Sequence, residues 1–384
     1  MRIAIFSDSW YPYVSGVNRS IEIFKMELEK RGHRVFLFVP ACGTYDHEEP
    51  GVYRFTSIPA VFNPGFRLAI PFSPRLTKTV KELSVDLIHS QSPMIMGRAA
   101  MSCSRRLDLP LVFTHHTLYD LYTHYAGALA GPATRYLTSY VRRYANRCDL
   151  VITPTGIVAE RLSERGITAP LRAVSTGVVL DEFEQCDQNW LCRSLNLDQD
   201  TPLILCVARL GLEKNIFLLL DSFARINQRL PETRLVLAGL GPLRNKIRPY
   251  AKSLGLEDRF FLLDREFSRR DLASIYASAD LFLYPSVTET QGIIINEAHA
   301  AGLPVVAVGA HGVAEMVEDG VDGILTEPDP DALAGAAVKV LEDQALRERL
   351  SRGAYQAARR ITSGQMAEKM ISVYQEVLSG KSEG

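Results

Sequence analysis

The chain has 384 residues, 47% of them hydrophobic and 23% charged, the balance of an ordinary globular protein long enough for two separate cores. No apolar run reaches the length of a membrane span, and no zinc-finger, RNA-recognition or continuous basic motif supports nucleic acid as a partner. A net charge of −1 hides an asymmetry: residues 1–180 hold 21 Lys and Arg against 14 Asp and Glu, the remainder 22 against 30, and the positive excess lies within 66–147. Six cysteines, at 42, 103, 148, 186, 192 and 206, show no metal-ligand spacing and fit thiols in a reducing compartment.

Arg2 leads directly into Ile3-Ala4-Ile5-Phe6, too short and too soon polar for a signal peptide, so this stretch reads as the first strand. An amphipathic helix over 21–31 and a strand over 35–39 follow. Further strands are expected at 87–88, 111–114 and 150–152, with helical segments between. Such alternation predicts parallel sheets covered by helices on both faces. The pattern breaks near Val174-Ser175-Thr176-Gly177, and polar residues 181–201 read as a linker. A second alternating series begins at 203–208 and continues through 235–238, 260–263, 281–284 and 305–308. Two doubly wound α/β domains with a cleft between them are therefore predicted, over 1–180 and 181–361, with a last helix at 362–384 packing back on the first.

In such sheets ligands sit beyond the carboxyl ends of the strands. After the first strand, Gly16 can let backbone N–H groups approach a phosphate at a helix start, although no G-x-G-x-x-G accompanies it. After 111–114 come His115 and His116, able to bond a hydroxyl or take its proton near neutral pH, or simply structural. Neighbours on a strand alternate sides, so both cannot point the same way. From Gly131-Pro132 to about Asn146 a helix repeats Tyr136, Tyr140 and Tyr144, flanked by Arg135, Arg142, Arg143 and Arg147. Two readings stay open there: a helix lying on an anionic membrane surface, extended by 62–81, or one with its apolar stripe in the core.

In the second series, the loop Arg209 to Asn215 places Arg209 and Lys214 where they can clamp two phosphates. The richest stretch is 281–309. A buried strand ends at Pro285, a polar turn closes on Gly292, and a helix from Ile293 starts without a strong side-chain cap. That helix start suits an anion. Glu289 and Glu297 flank it eight positions apart and cannot bind the anion, but can accept from hydroxyls. The implied ligand carries phosphate and sugar. Asp198-Gln199-Asp200 precedes its strand, away from the strands' carboxyl ends, and Gly239-Leu240-Gly241-Pro242 reads as a tight turn. Neither is assigned a function, so no metal is expected, and no cofactor.

Arg209 with Lys214, Glu289-x7-Glu297, a strand-end histidine and an early glycine loop together resemble the retaining glycosyltransferases of family 4, which have the GT-B fold. Thr176-Gly177-Val178 matches the way that family enters its interdomain linker. The resemblance implies that Arg209 and Lys214 hold the diphosphate of a nucleotide sugar and that Glu297 accepts from the ribose. Glu289 would contact the donor sugar, with Thr290, Gln291 and Gly292 backbone groups beside it, and Gly16 would lie near the phosphate. His116 falls on the family's T-x-H-T pattern and is taken for the sugar or acceptor contact. The early loop has Ser15-Gly16 where many members have two glycines, and Gln291 stands at a position often aromatic. Glu289 to Gly292, His116 to Tyr119 and Tyr122 to Tyr125 look most like members that glycosylate diacylglycerol.

The resemblance implies a metal-independent hexosyl transfer to a lipid, with UDP-glucose and diacylglycerol favoured, and the local positive excess adds the expectation of a cytoplasmic enzyme peripheral on the inner face of the membrane. Its anionic-membrane contacts would be 62–81 and 131–147. Competing expectations are a family 4 transferase with another acceptor, such as a mannosyltransferase acting on an inositol phospholipid or a glycan. A nucleotide-sugar epimerase and a non-catalytic nucleotide-sugar binder also compete.

Overall fold

The computed structural model describes residues 1–13, 15–42, 49–60, 63–70, 74–119 and 130–382. The chain divides into two compact units, one of Met1–Thr176 with Ser363–Gly384, the other of Gly177–Thr362.

The first unit is built on a parallel sheet of seven strands. In chain order these are β1 (Arg2–Phe6), β2 (Arg34–Pro40), β3 (Val52–Phe55), β6 (Leu87–Ser90), β7 (Leu111–Thr114), β8 (Leu150–Thr153) and β9 (Leu171–Ala173). Across the sheet the order is β3-β2-β1-β6-β7-β8-β9, and β4 (Ser57–Ala60) pairs antiparallel with β5 (Asn63–Ala69) as a separate hairpin. Ile3, Ile5 and Phe6 are buried on both faces of the sheet, which is why the strand reads as a continuous apolar run rather than an alternating one. The last helix, Ser363–Ser382, belongs to this unit because Met366, Met370, Val373, Tyr374 and Val377 form one buried stripe at helical spacing. Tyr374 Oη lies 2.7 Å from His89 Nδ1, and Ser363 Oγ donates to Glu27 Oε1 at 3.0 Å.

The second unit carries six parallel strands: β10 (Leu203–Val207), β11 (Arg234–Ala238), β12 (Phe260–Leu263), β13 (Leu281–Tyr284), β14 (Val305–Val308) and β15 (Gly323–Thr326). Their order, β12-β11-β10-β13-β14-β15, reverses direction between β10 and β13. That reversal separates the loops after β10 and β13 and opens a crevice at the strands' carboxyl ends. In the first unit the reversal falls between β1 and β6.

The expected linker at 181–201 is instead folded. It contains a short 3-10 turn, Leu180–Phe183, and a helix, Trp190–Leu195, whose Leu191 and Cys192 are buried in the second core. Ser274 and Ser278 accept from the Asp187 and Leu191 N–H groups and pin it down. The polarity that suggested a linker is its solvent side. The edge strands β3, β9 and β15 and the hairpin were not anticipated, because short, half-exposed strands lack the apolar run that marked the central ones.

Candidate functional site

The two loops flanking the reversal of the second sheet are tied to each other. Asn215 Nδ2 donates to the Pro285 carbonyl at 3.1 Å, and Thr288 Oγ1 donates to the Glu213 carbonyl at 3.2 Å. Lys214 Nζ bonds Glu289 Oε1 directly, and Arg209 bonds the fully buried carboxylate of Glu213. Lys214 and Glu289 are thus directly paired, while Arg209 is engaged by a carboxylate of its own loop. Gly211 makes room for that carboxylate, since a Cβ there would run into it.

Glycine-rich 239–242 turns out to brace this loop, a role beyond the tight turn expected of it. The Leu210 N–H bonds the Leu240 carbonyl at 2.9 Å, and the Leu243 N–H bonds the Leu210 carbonyl at 3.0 Å. At Gly239, with φ +149°, a Cβ would be driven into the Ala208 carbonyl. The two loops pack backbone to backbone, and only glycine permits it.

On the other side, Gly292 adopts φ +84° and begins the helix Ile293–Ala300 with no side-chain cap. Gly312 closes beneath, its N–H bonding the Glu289 carbonyl at 3.0 Å. Thr290 is partly exposed, and Gln291 and Gly292 are buried.

Both acids sit on buried tyrosines that sequence reasoning did not pick out. Tyr284, the last residue of β13, donates to Glu289 Oε1 at 2.6 Å, beside Ser286 Oγ at 2.8 Å. Burial works to raise the Glu289 pKa, yet the charge of Lys214 and the bonds from Lys214, Tyr284 and Ser286 outweigh it and hold the carboxyl below its ordinary value. Tyr276, on the helix Arg269–Ala277, donates to Glu297 Oε2 at 3.0 Å, with Arg269 3.6 Å from Oε1. Burial, then the neighbouring carboxylate, pushes both phenols well above the usual tyrosine range. A tyrosine ending a buried strand, or on a helix's inner face, reads as core; only a short hydroxyl-to-carboxylate distance gives it another role.

In the first unit, His115 and His116 point to different places. His115 is edge-on to Phe113 and Tyr119 at 5.9 and 5.7 Å and lines a cavity of about 430 Å³ with Arg135, Arg142 and Arg165. His116 Nε2 lies 2.6 Å from Gln91 Oε1, just past β6, so its proton sits on Nε2. Burial, then the charge of His115, lowers its pKa to about 3, which leaves the ring neutral. Gly16 opens the helix Gly16–Lys30, but Ser15 Oγ caps that helix by accepting from the Asn18 N–H at 3.2 Å, so its start is not the uncapped one found at Gly292.

The tyrosine helix, Ala130–Ala145, divides along its length. Val141 and Tyr144 are buried, Tyr144 Oη donates to the Gly97 carbonyl at 3.0 Å and Tyr140 Oη to the Pro93 carbonyl at 2.6 Å. This part of the stripe is core. Tyr136 is 70% exposed, and Arg135, Arg142, Arg143 and Arg147 lie on the surface. Of the second expected membrane segment, 62 and 71–73 lie outside the described residues, as does the motif at 122–125, while Arg67 binds the Ser57 hydroxyl and carbonyl. Asp198 and Asp200 are exposed ahead of β10, away from the loops just described.

Residues 14–182 match the Glycosyltransferase Family 4 model and 189–357 the Glycosyl transferases group 1 model. The chain is 32% identical over 350 residues to the alpha-monoglucosyldiacylglycerol synthase of Streptococcus pneumoniae, covering 89% of this chain and 78% of that protein. It is 29% identical to the synthase of the same name from Acholeplasma laidlawii, over 84% of each chain. A GDP-mannose-dependent alpha-mannosyltransferase of Corynebacterium glutamicum is 25% identical, over 99% of this chain and 90% of its own. Among solved structures, Anabaena HepE in complex with UDP and glucose superposes with a TM-score of 0.80 at 21% identity, over 98% of this chain and all of that one. This likeness shows the GT-B fold. With strand order, loop placement and relatives in agreement, the chain belongs to glycosyltransferase family 4.

Proposed function

We propose that this protein is a retaining, metal-independent hexosyltransferase that moves glucose from UDP-glucose to diacylglycerol. The observation that carries the donor side is the Lys214–Glu289 contact on the loop that leads into the uncapped helix at Gly292: a cation, a helix start and a carboxylate able to accept from hydroxyls, on neighbouring loops. Cleaving the anomeric C–O bond puts charge on the departing diphosphate while the sugar becomes oxocarbenium-like. Lys214, Arg209 and the first amides of the helix meet that charge. An ammonium has three donors, so Lys214 can keep Glu289 while meeting a phosphate. Arg209 bonds Glu213 through Nη2 and, with five N–H donors, can do the same. Glu289 then accepts from sugar hydroxyls, and Glu297 from the ribose. No carboxylate is assigned as a covalent nucleophile, and retention follows from attack on the face the diphosphate leaves.

His116 is the sugar or acceptor contact, acting as a neutral imidazole. The lipid acceptor is supported by two relatives that are named for glucosyldiacylglycerol synthesis. Membrane contact is assigned to the exposed face of 131–147, through Arg135, Tyr136, Arg143 and Arg147. A mannosyl donor is the second reading, favoured by the mannosyltransferase relative. Nucleoside diphosphate release is to be measured from UDP-glucose and GDP-mannose, each with and without diacylglycerol in vesicles. The proposal expects UDP release that depends on diacylglycerol. GDP release alone, or release indifferent to the lipid, would replace it.

A further inference from the structure

The two acids of the E-x7-E pair are held by the same device built twice. Tyr276 and Tyr284 are 0% and 1% exposed, and each spends its hydroxyl on one acid: Tyr276 on Glu297 Oε2, Tyr284 on Glu289 Oε1. A phenol that donates to a carboxylate favours the ionised acid, which is the form that accepts from a ligand hydroxyl. Geometry matters as much as charge. Among the described residues the side-chain hydrogen bonds to Glu289, from Tyr284, Ser286 and Lys214, all land on Oε1. Oε1 is saturated from the protein side, so Oε2 is the oxygen left to accept. At Glu297 the division is between Oε2, held by Tyr276, and Oε1, nearest to Arg269.

We infer that Tyr276 and Tyr284 are positioning residues that fix which carboxylate oxygen of Glu297 and of Glu289 meets the hydroxyls of the nucleotide sugar. Tyr276 thereby governs ribose recognition and Tyr284 recognition of the transferred sugar. This rests on the donor-site reading above. The physical reason is pre-organisation: a carboxylate whose rotamer is locked by a buried donor does not have to be ordered when the ligand arrives. A rigid phenol on a buried strand end or helix face does this better than a flexible surface donor.

The test compares phenylalanine variants, which keep the ring, with variants of the acids. Binding of UDP and of 2′,3′-dideoxy-UDP is measured by calorimetry on the full chain. E297A is expected to weaken UDP binding about 10–100-fold and dideoxy-UDP binding less than about 3-fold, with Tyr276→Phe following the same pattern at about 5–10-fold for UDP. Tyr284→Phe is expected to leave UDP binding within about 2-fold while raising the KM for UDP-glucose about 10-fold. Equal losses for UDP and dideoxy-UDP in Tyr276→Phe would show a merely structural role and overturn the inference. So would unchanged binding in Tyr276→Phe beside a weakened E297A, which leaves the donor site standing without the tyrosine. If E297A itself binds UDP normally, the donor-site reading falls and the inference with it. Should Tyr276→Phe not fold, 3-fluorotyrosine at 276 replaces it. As a more acidic, stronger donor it should preserve or tighten UDP binding, with dideoxy-UDP unchanged, and any loosening counts against the inference.

Discussion

The two sheets share one winding scheme, and in each the strand order turns back beside the first strand of its unit. Yet the loops at those reversals differ in chemistry. After β10 and β13 they bring together a lysine, an arginine, two carboxylates and an uncapped helix. After β1 the helix start is capped by a serine, and the strand ends carry neutral His116 and Gln91. The comparison teaches that the winding supplies a place, while the loops decide whether that place holds an anion. A phosphate calls for positive charge and amides not capped by a side chain, and the second unit carries cations beside such a helix start; neutral imidazole and amide groups suit hydroxyls.

The strongest way to break this contrast is to remove charge on one side and add bulk on the other. Lys214→Met should lower nucleoside diphosphate release about 10²–10³-fold. It also leaves Glu289 with only hydroxyl donors, at a cost of about 3 kcal/mol, so thermal unfolding is followed beside release to separate the two effects. Gly16→Ala should cost less than about tenfold in release, because its helix is already capped. Equal damage from both would erase the distinction between the units.

Glycine substitutions come next. Gly239→Ala, forced against the Ala208 carbonyl at φ +149°, should cost about 3 kcal/mol and lower Tm by about 6–12 °C. In the first unit, Gly131→Ala meets nothing within 4 Å and sits in a helix, so it should be neutral or gain about 0.5–1 kcal/mol.

Acid should separate the units too. His89 and His116 are both lowered to about 3 by burial, so the folded first unit refuses protons that the unfolded chain accepts below about 6.5. Their contribution is whole above 6.5 and falls by about 1.4 kcal/mol per pH unit for each histidine as pH drops toward 3. In the second unit His299, lowered to about 4, does the same over a narrower range, and Glu289 gives way only below its ordinary value of 4.5. Asp8 in the first unit and Asp322, raised to about 6, in the second work the opposite way, since acid relieves a buried charge. Amide exchange followed from pH 7 to 4 should show the first unit opening before the second.

The smallest effect expected is at the surface. Arg143→Glu and Arg147→Glu should each weaken flotation with anionic vesicles about fivefold at low salt, since a surface arginine near such a membrane contributes about 1 kcal/mol. Flotation unchanged by both would remove the helix from the membrane proposal.

Much of this protein was legible from residues alone. Apolar runs marked the central strands to within a residue or two, because strands buried on both faces admit almost nothing else. The charged loop at 209–214 and the glycine at 292 announced themselves by residue type at a strand end. Tyrosines 276 and 284 did not, since an apolar ring hides its hydroxyl in any pattern of hydrophobicity. Nor could periodicity divide the tyrosine helix, whose Tyr140 and Tyr144 face the core while Tyr136 faces water. What local sequence determined was where strands begin, where they stop and what chemistry their ends carry. Tertiary structure alone decided which oxygen meets which hydroxyl and that glycines 239 and 241 brace the cationic loop. These depend on distances between segments tens of residues apart, which no local pattern encodes.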